Sequence, residues 1–332
     1  MIKNIGKLNK FMGAVAAALC VVATAPAVAQ YPEQPVRIIV PFAPGGNIDA
    51  AARMLSTYLA EKLGQPFIVE NRSGAGGSIG AQAVAQSRPD GYVVLSGSNG
   101  MLAVNPAVNP SLPYDPVKSF APVAFISQVP LALTVHGKLP VKDLASLKEY
   151  ARSSGTPINI GSSGAGGAQH LAIVEFAEQA GIPYTHVPYR GGSAIMPDLM
   201  GGTIDAALNE LPNVLSAHRE GQVRVIAVAA HERSPLLPDV PTLKEAGLDG
   251  FVAYSSNGWL VPAGTPEDVM QKLGDALSAA LDEPEIRSKM EGMGLVIATP
   301  EERSSQAYSD RLQRELAQAR STAERHGIRV AQ

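Results

Sequence analysis

The sequence predicts an α/β protein built as two successive α/β units, joined by two extended crossings with a ligand cleft between them. Short β-branched runs alternate with longer segments rich in Ala, Leu and charge, the pattern of strand and helix taking turns around a parallel sheet. Two long apolar stretches interrupt that alternation without helical periodicity. Glycine clusters stand where strands hand over to helices, and the pentapeptide SGAGG occurs twice, from Ser73 and from Ser163.

In chain order, "VRIIV", "DAAARMLSTYLAEKLG", "PFIVE", "GAQAVAQSRP" and "YVVLSG" read as strand, helix, strand, helix, strand. The alternation resumes in "ASLKEYARSSG", "PINIG", "AQHLAIVEFAEQAG", "THVPY", "AIMPDLMGG", "IDAALN" and "VRVIAVAA", and helices follow from about Pro266. Between the units, "SFAPVAFISQVPLALTVH" fits a strand crossing from one to the other, and "GFVAYSSNGWLVPAGTP" fits the return. The expected division is a first lobe from residues 30–129 and 254–332 and a second lobe from residues 130–253. A cleft between two such lobes is where small ligands usually bind.

Lys3, Lys7 and Lys10 precede the apolar run "FMGAVAAALCVVATA", which closes on Ala27 and Ala29 at an A-x-A site, so residues 1–29 read as a secretory signal. The run is shorter than a membrane span, and the expected mature protein is periplasmic and does not itself span the membrane. Cleavage there removes the single cysteine, Cys20, leaving no thiol, disulfide or Cys metal ligand. A mature chain of about 300 residues buries roughly 75% of its unfolded surface and needs no such staple. Losing three lysines also makes an already acidic chain, 30 Asp and Glu against 27 Lys and Arg, more negative. No basic, aromatic-studded stripe is present, and nucleic acid is excluded as a partner.

Three glycine clusters occupy strand-to-helix turns: "VPFAPGGNID", with Asp49 as the expected helix cap, "NRSGAGGSIG" and "GSSGAGGAQH". Ligands of open α/β sheets sit outside the carboxyl ends of strands, where free N–H groups and the helix dipole favour anions. Glycine lets the backbone approach closely, and Ser162 and Ser163 add hydroxyls. Nucleotide loops do not fit: Gly74, Gly76 and Gly80 miss the G-x-G-x-x-G spacing by one residue, and no Lys follows either SGAGG. For "NRSGAGGSIG" a plain packing turn remains the alternative to a ligand role.

"YPEQPVRIIVPFAPGGNID", "VENRSGAGGSIGAQAVAQSRPDGY", "HVPYRGG", "DLMGGTIDA", "RSPLLPDVPTLKEAGL" and "VPAGTPEDV" follow, in order, the pattern of one family over essentially the whole mature chain. The sequence resembles the substrate-binding proteins of tripartite tricarboxylate transporters, the Bug-type periplasmic receptors. The resemblance implies a two-lobed periplasmic-binding-protein fold of type II that closes on a small carboxylated metabolite like a Venus flytrap and delivers it to membrane transporter subunits. It implies that the turn holding Phe42, Ala43, Pro44, Gly45, Gly46 and Asn47 meets the loop of Ser162, Ser163, Gly164, Ala165, Gly166 and Gly167 on one carboxylate, partly through ordered water. The second SGAGG is then the ligand loop and the first at most a neighbour.

Two departures from the family pattern stand out. In "SSNGWLVP", Ser256, followed by Asn257, stands at the Trp position of the family's usual Ser-Trp-x-Gly-Leu, and the only Trp, Trp259, lies three places on. In "ALNELP", Asn209 stands where the family often has an acid, which implies a carboxylate ligand without a free amine. A register shift of one residue would instead bring Glu210 to the cleft. His170, on the first turn after the ligand loop, is a candidate hydrogen-bond donor to the ligand, with a structural role as its alternative. Ser98 and Asn99 stand at another strand end, and Arg72 and Arg190 border glycine loops. His136, His186, His218, His231 and His326 lack metal-ligand spacing, so no metal or other cofactor is expected. A secreted hydrolase is the competing class, but no G-x-S-x-G elbow is present, and no catalytic residue is assigned. Presentation of the ligand to a signalling partner instead of a transporter leaves no separate mark in the sequence.

Overall fold

The computed structural model describes residues 31–329; the expected signal segment, residues 1–29, lies outside them. From residue 36 onward the apolar runs become strands, most of them largely buried, with β2 and β6 the more exposed. β1 (Val36–Val40) is followed by α1 (Asn47–Leu63), which ends at Gly64 in the left-handed conformation. β2 (Phe67–Asn71), α2 (Ser78–Ala85) and β3 (Val93–Ser98) complete the first parallel group, with β1 flanked by β2 and β3. A π-helical turn over Gly100–Val104 then runs into the short α3 (Asn105–Val108).

The first crossing is one strand, β4 (Phe120–His136), and its burial on both faces explains its continuous apolar sequence. Beyond it come α4 (Leu144–Ser153), β5 (Ile158–Ser162), α5 (Ala168–Ala180), β6 (Tyr184–Pro188), α6 (Gly192–Gly201), β7 (Ala206–Glu210), α7 (Leu211–Arg219) and β8 (Val223–Val228). Asp143 starts α4 with a capping box: its carboxylate accepts from Ser146 N at 2.8 Å. The return crossing is β9 (Tyr254–Pro262), followed by α8 (Glu267–Asp282), α9 (Pro284–Gly292), β10 (Val296–Ile297) and α10 (Ser305–Arg325).

The strands run in the order β2-β1-β3-β9-β4-β7-β5-β6, with β8 and β10 also pairing β4. Pairing is parallel within β2-β1-β3 and within β7-β5-β6, but β9, β8, β7 and β10 all meet a neighbour in antiparallel sense at the crossings. The expectation of a parallel sheet therefore describes each group, not their junction. β4 changes partners within its own length: up to Pro130 it faces β9, and from Leu131 it faces β7. The cores separate at the same place. One apolar cluster draws on residues from Ile39 to Phe125 and from Leu260 to Leu312. Two others draw only on residues between Leu131 and Phe251.

α10 spans both sets. Its Arg311 guanidinium lies 4.0 Å above the Phe125 ring and bonds Glu315 and Gln128. Further along, Ala319 and Ala323 pack with Leu171, Val104 and Val108, while Thr322 and Arg325 reach Glu175 and His326 reaches Glu178, both on α5.

Candidate ligand-binding site

The turn after β1 is made rigid from beneath. Gly46, not Asp49, is the N-cap of α1 and offers no side chain, while in the first turn Asn47 Oδ1 accepts from Ile48 N at 2.7 Å. Asp49 faces back into the turn, accepting from Gly45 N at 3.0 Å, while Asn71 Nδ2 donates to Asp49 Oδ1 at 2.8 Å and to Phe42 O at 3.1 Å. Burial opposes ionisation of Asp49, but Arg53, Gly45 N and Asn71 outweigh it and hold its pKa below the usual carboxylate range. Ala43, Pro44, Gly45 and Gly46 stay exposed on this braced base, with Phe42 and Asn47 partly buried at its ends.

The second SGAGG follows β5 and opens α5, whose N-cap, Gly167, likewise has no side-chain cap. Gly166 needs φ +70°, a conformation glycine adopts without strain. Much of the loop's polarity is spent on itself. Gly164 N donates to Ser162 Oγ, Ser163 N donates to Gln169 Oε1 at 2.8 Å, and Gly166 N donates to His170 Nδ1 at 3.1 Å. That last bond fixes the His170 tautomer: with Nδ1 accepting, the neutral ring carries its proton on Nε2. Burial pushes the pKa of His170 down, keeping it neutral. His170 stacks on His186 with centroids 3.8 Å apart, and His186 Nε2 lies 2.6 Å from Ser162 Oγ. Burial, reinforced by His170, pushes the pKa of His186 down to about 4. Ser162 is fully enclosed, so this Ser–His contact braces the loop. His186 was legible in the sequence only as a histidine without metal spacing.

The stretch that carries the first SGAGG packs α2 closely on β1. A Cβ on Gly80 would lie 2.8 Å from Pro41 Cβ, so glycine there lets α2 press against the end of β1. Arg72, at its border, pairs with Glu70 at 3.4 Å. Arg190 is exposed on the rim between β6 and α6.

The remaining expected residues lie near the crossings. Gly100, just past Ser98 and Asn99, comes close to the start of α5: a Cβ there would stand 3.9 Å from Ala168 N. Asn99 clasps the return strand, donating to Tyr254 O and accepting from Ser256 N, each at 3.1 Å. Ser256 and Asn257 are buried on β9; Asn257 Oδ1 accepts from Ser96 Oγ, and among the described residues its Nδ2 has no partner. With Asn47, Ser127 and Ser255 they line a crevice too narrow to admit a water-sized molecule. Trp259 is fully buried in the sheet.

Asn209 is not where the sequence reading put it. It is wholly enclosed, its Oδ1 accepting from Gln169, Asn213 and Glu210 N and its Nδ2 donating to Gly192 O at 2.9 Å. Successive strand residues face opposite ways, and the side chain that leaves this hub is Glu210, which accepts from Asn47 Nδ2 at 3.1 Å.

The two turns thus present helix N-termini whose cap residues are glycines, and beside the second stands a neutral histidine with its donor fixed. The sequence from residue 51 to residue 328 matches the tripartite tricarboxylate transporter family receptor. The chain belongs to that family. The periplasmic binding protein BugD is 32% identical, with a TM-score of 0.81 over 90% of this chain and 99% of its own. MatC from Rhodopseudomonas palustris, solved with bound malate, is 34% identical with a TM-score of 0.80 over 88% of this chain and 99% of its own. Rpa4515 of R. palustris, solved with adipate, is 33% identical with a TM-score of 0.84 over 90% and 99%. The receptor thus has the two-lobed periplasmic-binding-protein fold, and no helix among its described residues is long and apolar enough to cross a membrane.

Proposed function

We propose that this protein is an extracytoplasmic solute receptor that binds a small carboxylate and delivers it to membrane subunits of a tripartite tricarboxylate-type transporter. It is exported by the segment 1–29 and divided into lobes at residues 30–129 with 254–332 and at residues 130–253. The observation that carries this reading is the pair of helix N-termini whose cap residues are glycines, Gly46 and Gly167, each opening from an exposed or half-exposed glycine turn. An anion at such an end gains roughly 0.3–2 kcal/mol per helix. The malate and adipate held by two relatives support a carboxylate as that anion. The lobes close over it, with Phe42 to Asn47 on one side and Ser162 to His170 on the other.

Calorimetric titration of the purified protein against carboxylic acids and their methyl esters tests it. Binding of the acid and loss of binding on esterification is the expected result; equal affinity for both would refute the carboxylate reading. Co-purification of the loaded receptor with tripartite tricarboxylate-type membrane subunits tests delivery.

A further inference from the structure

α5 is packed on two sides. Ala172, Ile173, Phe176 and Ala180 sit in the core built from residues between Leu131 and Phe251. A second stripe, Ala168, Leu171, Glu175 and Glu178, recurs at helical spacing and meets the other lobe. Ala168 and Leu171 pack with Val104, Val108 and the α10 residues Ala319 and Ala323. Glu175 accepts from Thr322 Oγ1 and pairs with Arg325 at 3.6 Å, and His326 lies 3.2 Å from Glu178.

α10 is anchored elsewhere. Tyr308 and Leu312 hold its first half in the core of the first lobe. A helix of 21 residues, about 31 Å long, is thus fixed at one end and grips the second lobe with the other. The gripped stripe starts at the ligand loop and runs about 15 Å along α5. The lobes are closed, with Asn47 Nδ2 donating to Glu210 across the cleft at 3.1 Å. Rotating one lobe from the other pulls so long a stripe off α10 unless the pivot runs along it. Thr322 is enclosed, and its hydroxyl reaches the Glu175 carboxylate only while α5 is seated. A bond of a hydroxyl to a carboxylate is among the stronger hydrogen bonds.

We propose that the end of α10 is a strap between the lobes. Thr322 and Arg325 are positioning residues that seat α5, and with it the ligand loop, in the closed arrangement. They act two turns along α5 from the loop and touch no ligand, so they set the affinity for every ligand alike through the closed population. This rests on the receptor reading above and adds a part remote from the ligand.

The test is calorimetric titration of the wild type, Thr322→Val and Thr322→Ser with malate, adipate, citrate and benzoate, together with melting of each protein without ligand. Valine keeps the shape of Thr322 and removes its donor; serine keeps the donor. Thr322→Val is expected to weaken every carboxylate that binds by one common factor, about fivefold or more, at an unchanged ligand-free Tm. Thr322→Ser is expected to bind as the wild type does. Glu175→Gln, which keeps an acceptor and loses the charge, replaces Thr322→Val if that variant does not fold. The strap is overturned if affinity is unchanged, if the factor differs between carboxylates, or if Thr322→Ser binds as weakly as Thr322→Val. A ligand-free Tm that falls with the affinity overturns it too, since a merely structural contact behaves so. Failure of all four acids to bind the wild type counts against the carboxylate reading, and the strap is then read without ligand. Residues 30–332 hold no native thiol, so Asn47→Cys and Glu210→Cys in the exported receptor can be joined by a short bifunctional thiol reagent. Their cross-linking is expected to slow about fivefold or more when Thr322→Val is added, and an unchanged rate overturns the strap.

Discussion

Gly76 and Gly166 hold the same place in the two SGAGG stretches and have nearly the same backbone, φ +64° and φ +70°. Valine strains either position by roughly 1–2 kcal/mol, so the two variants form a matched pair for stability but not for affinity. Gly166→Val is expected to weaken carboxylate binding more than Gly76→Val, because only Gly166 lies in the loop that opens α5; titration of both folded variants decides it. Sequence spacing separated the two loops, but it could not tell Asn209 from Glu210, since facing in a strand turns on a register that one residue reverses. Asn209→Asp removes the donor to Gly192 O and places a second carboxylate in an enclosed hub beside Glu210. A loss of about 2–4 kcal/mol is expected, read as a fall in Tm. His186 gives a pH dependence with a definite sign. Its pKa is near 6.5 unfolded and about 4 folded, so its contribution is full above the unfolded value and drains away as pH falls toward the folded one. His186→Gln should therefore show a shallower decline of Tm through that interval than the wild type.

At the scale of elements, alternation and apolar continuity located most helices and strands of both groups, including β4 and β9 as the crossings, but not α7, which follows "IDAALN" directly. β10 was missed: two residues carry no period, and Val296–Ile297 is a strand only because β4 offers an edge there. The π-helical turn at Gly100–Val104 was missed too, because its sequence reads as an ordinary apolar helix start. α10 shows what periodicity does not give. Its amphipathic pattern predicts a helix on a core, and Tyr308 and Leu312 do pack with Phe125, but it does not predict the polar contacts that add to that grip, Arg311 over the Phe125 ring and against Gln128. Arg311→Leu leaves Glu315 enclosed without its cation, and about 3–5 kcal/mol of stability should be lost. Adding Glu315→Leu should recover most of it, which denaturant unfolding of the single and double variants measures.

For the whole molecule, glycine turns at strand ends were enough to point to a cleft, whereas the contacts that bridge it were not legible. Asn47 to Glu210, and α10 to α5, join residues far apart in the chain, and no local pattern encodes such pairs. A ligand held from both lobes favours the closed arrangement by its differential affinity. Small-angle scattering should therefore show a smaller radius of gyration when a demonstrably empty receptor is saturated with a carboxylate. An unchanged curve would count against closure.

The place of β9 in the sheet also sets an order in time. β9 lies between β3 and β4, yet its first residue is Tyr254 and β4 ends at His136. Until that late segment arrives, β3 and the first part of β4 have no common neighbour, while β5, β6 and β7 can assemble on nearer partners. Closing the longer loop carries more chain entropy before any contact rewards it. During refolding, amides of β5 and β7 should be protected from pulsed hydrogen exchange before those of β3 and β9, and simultaneous protection would show that the interleaved strand does not delay its half.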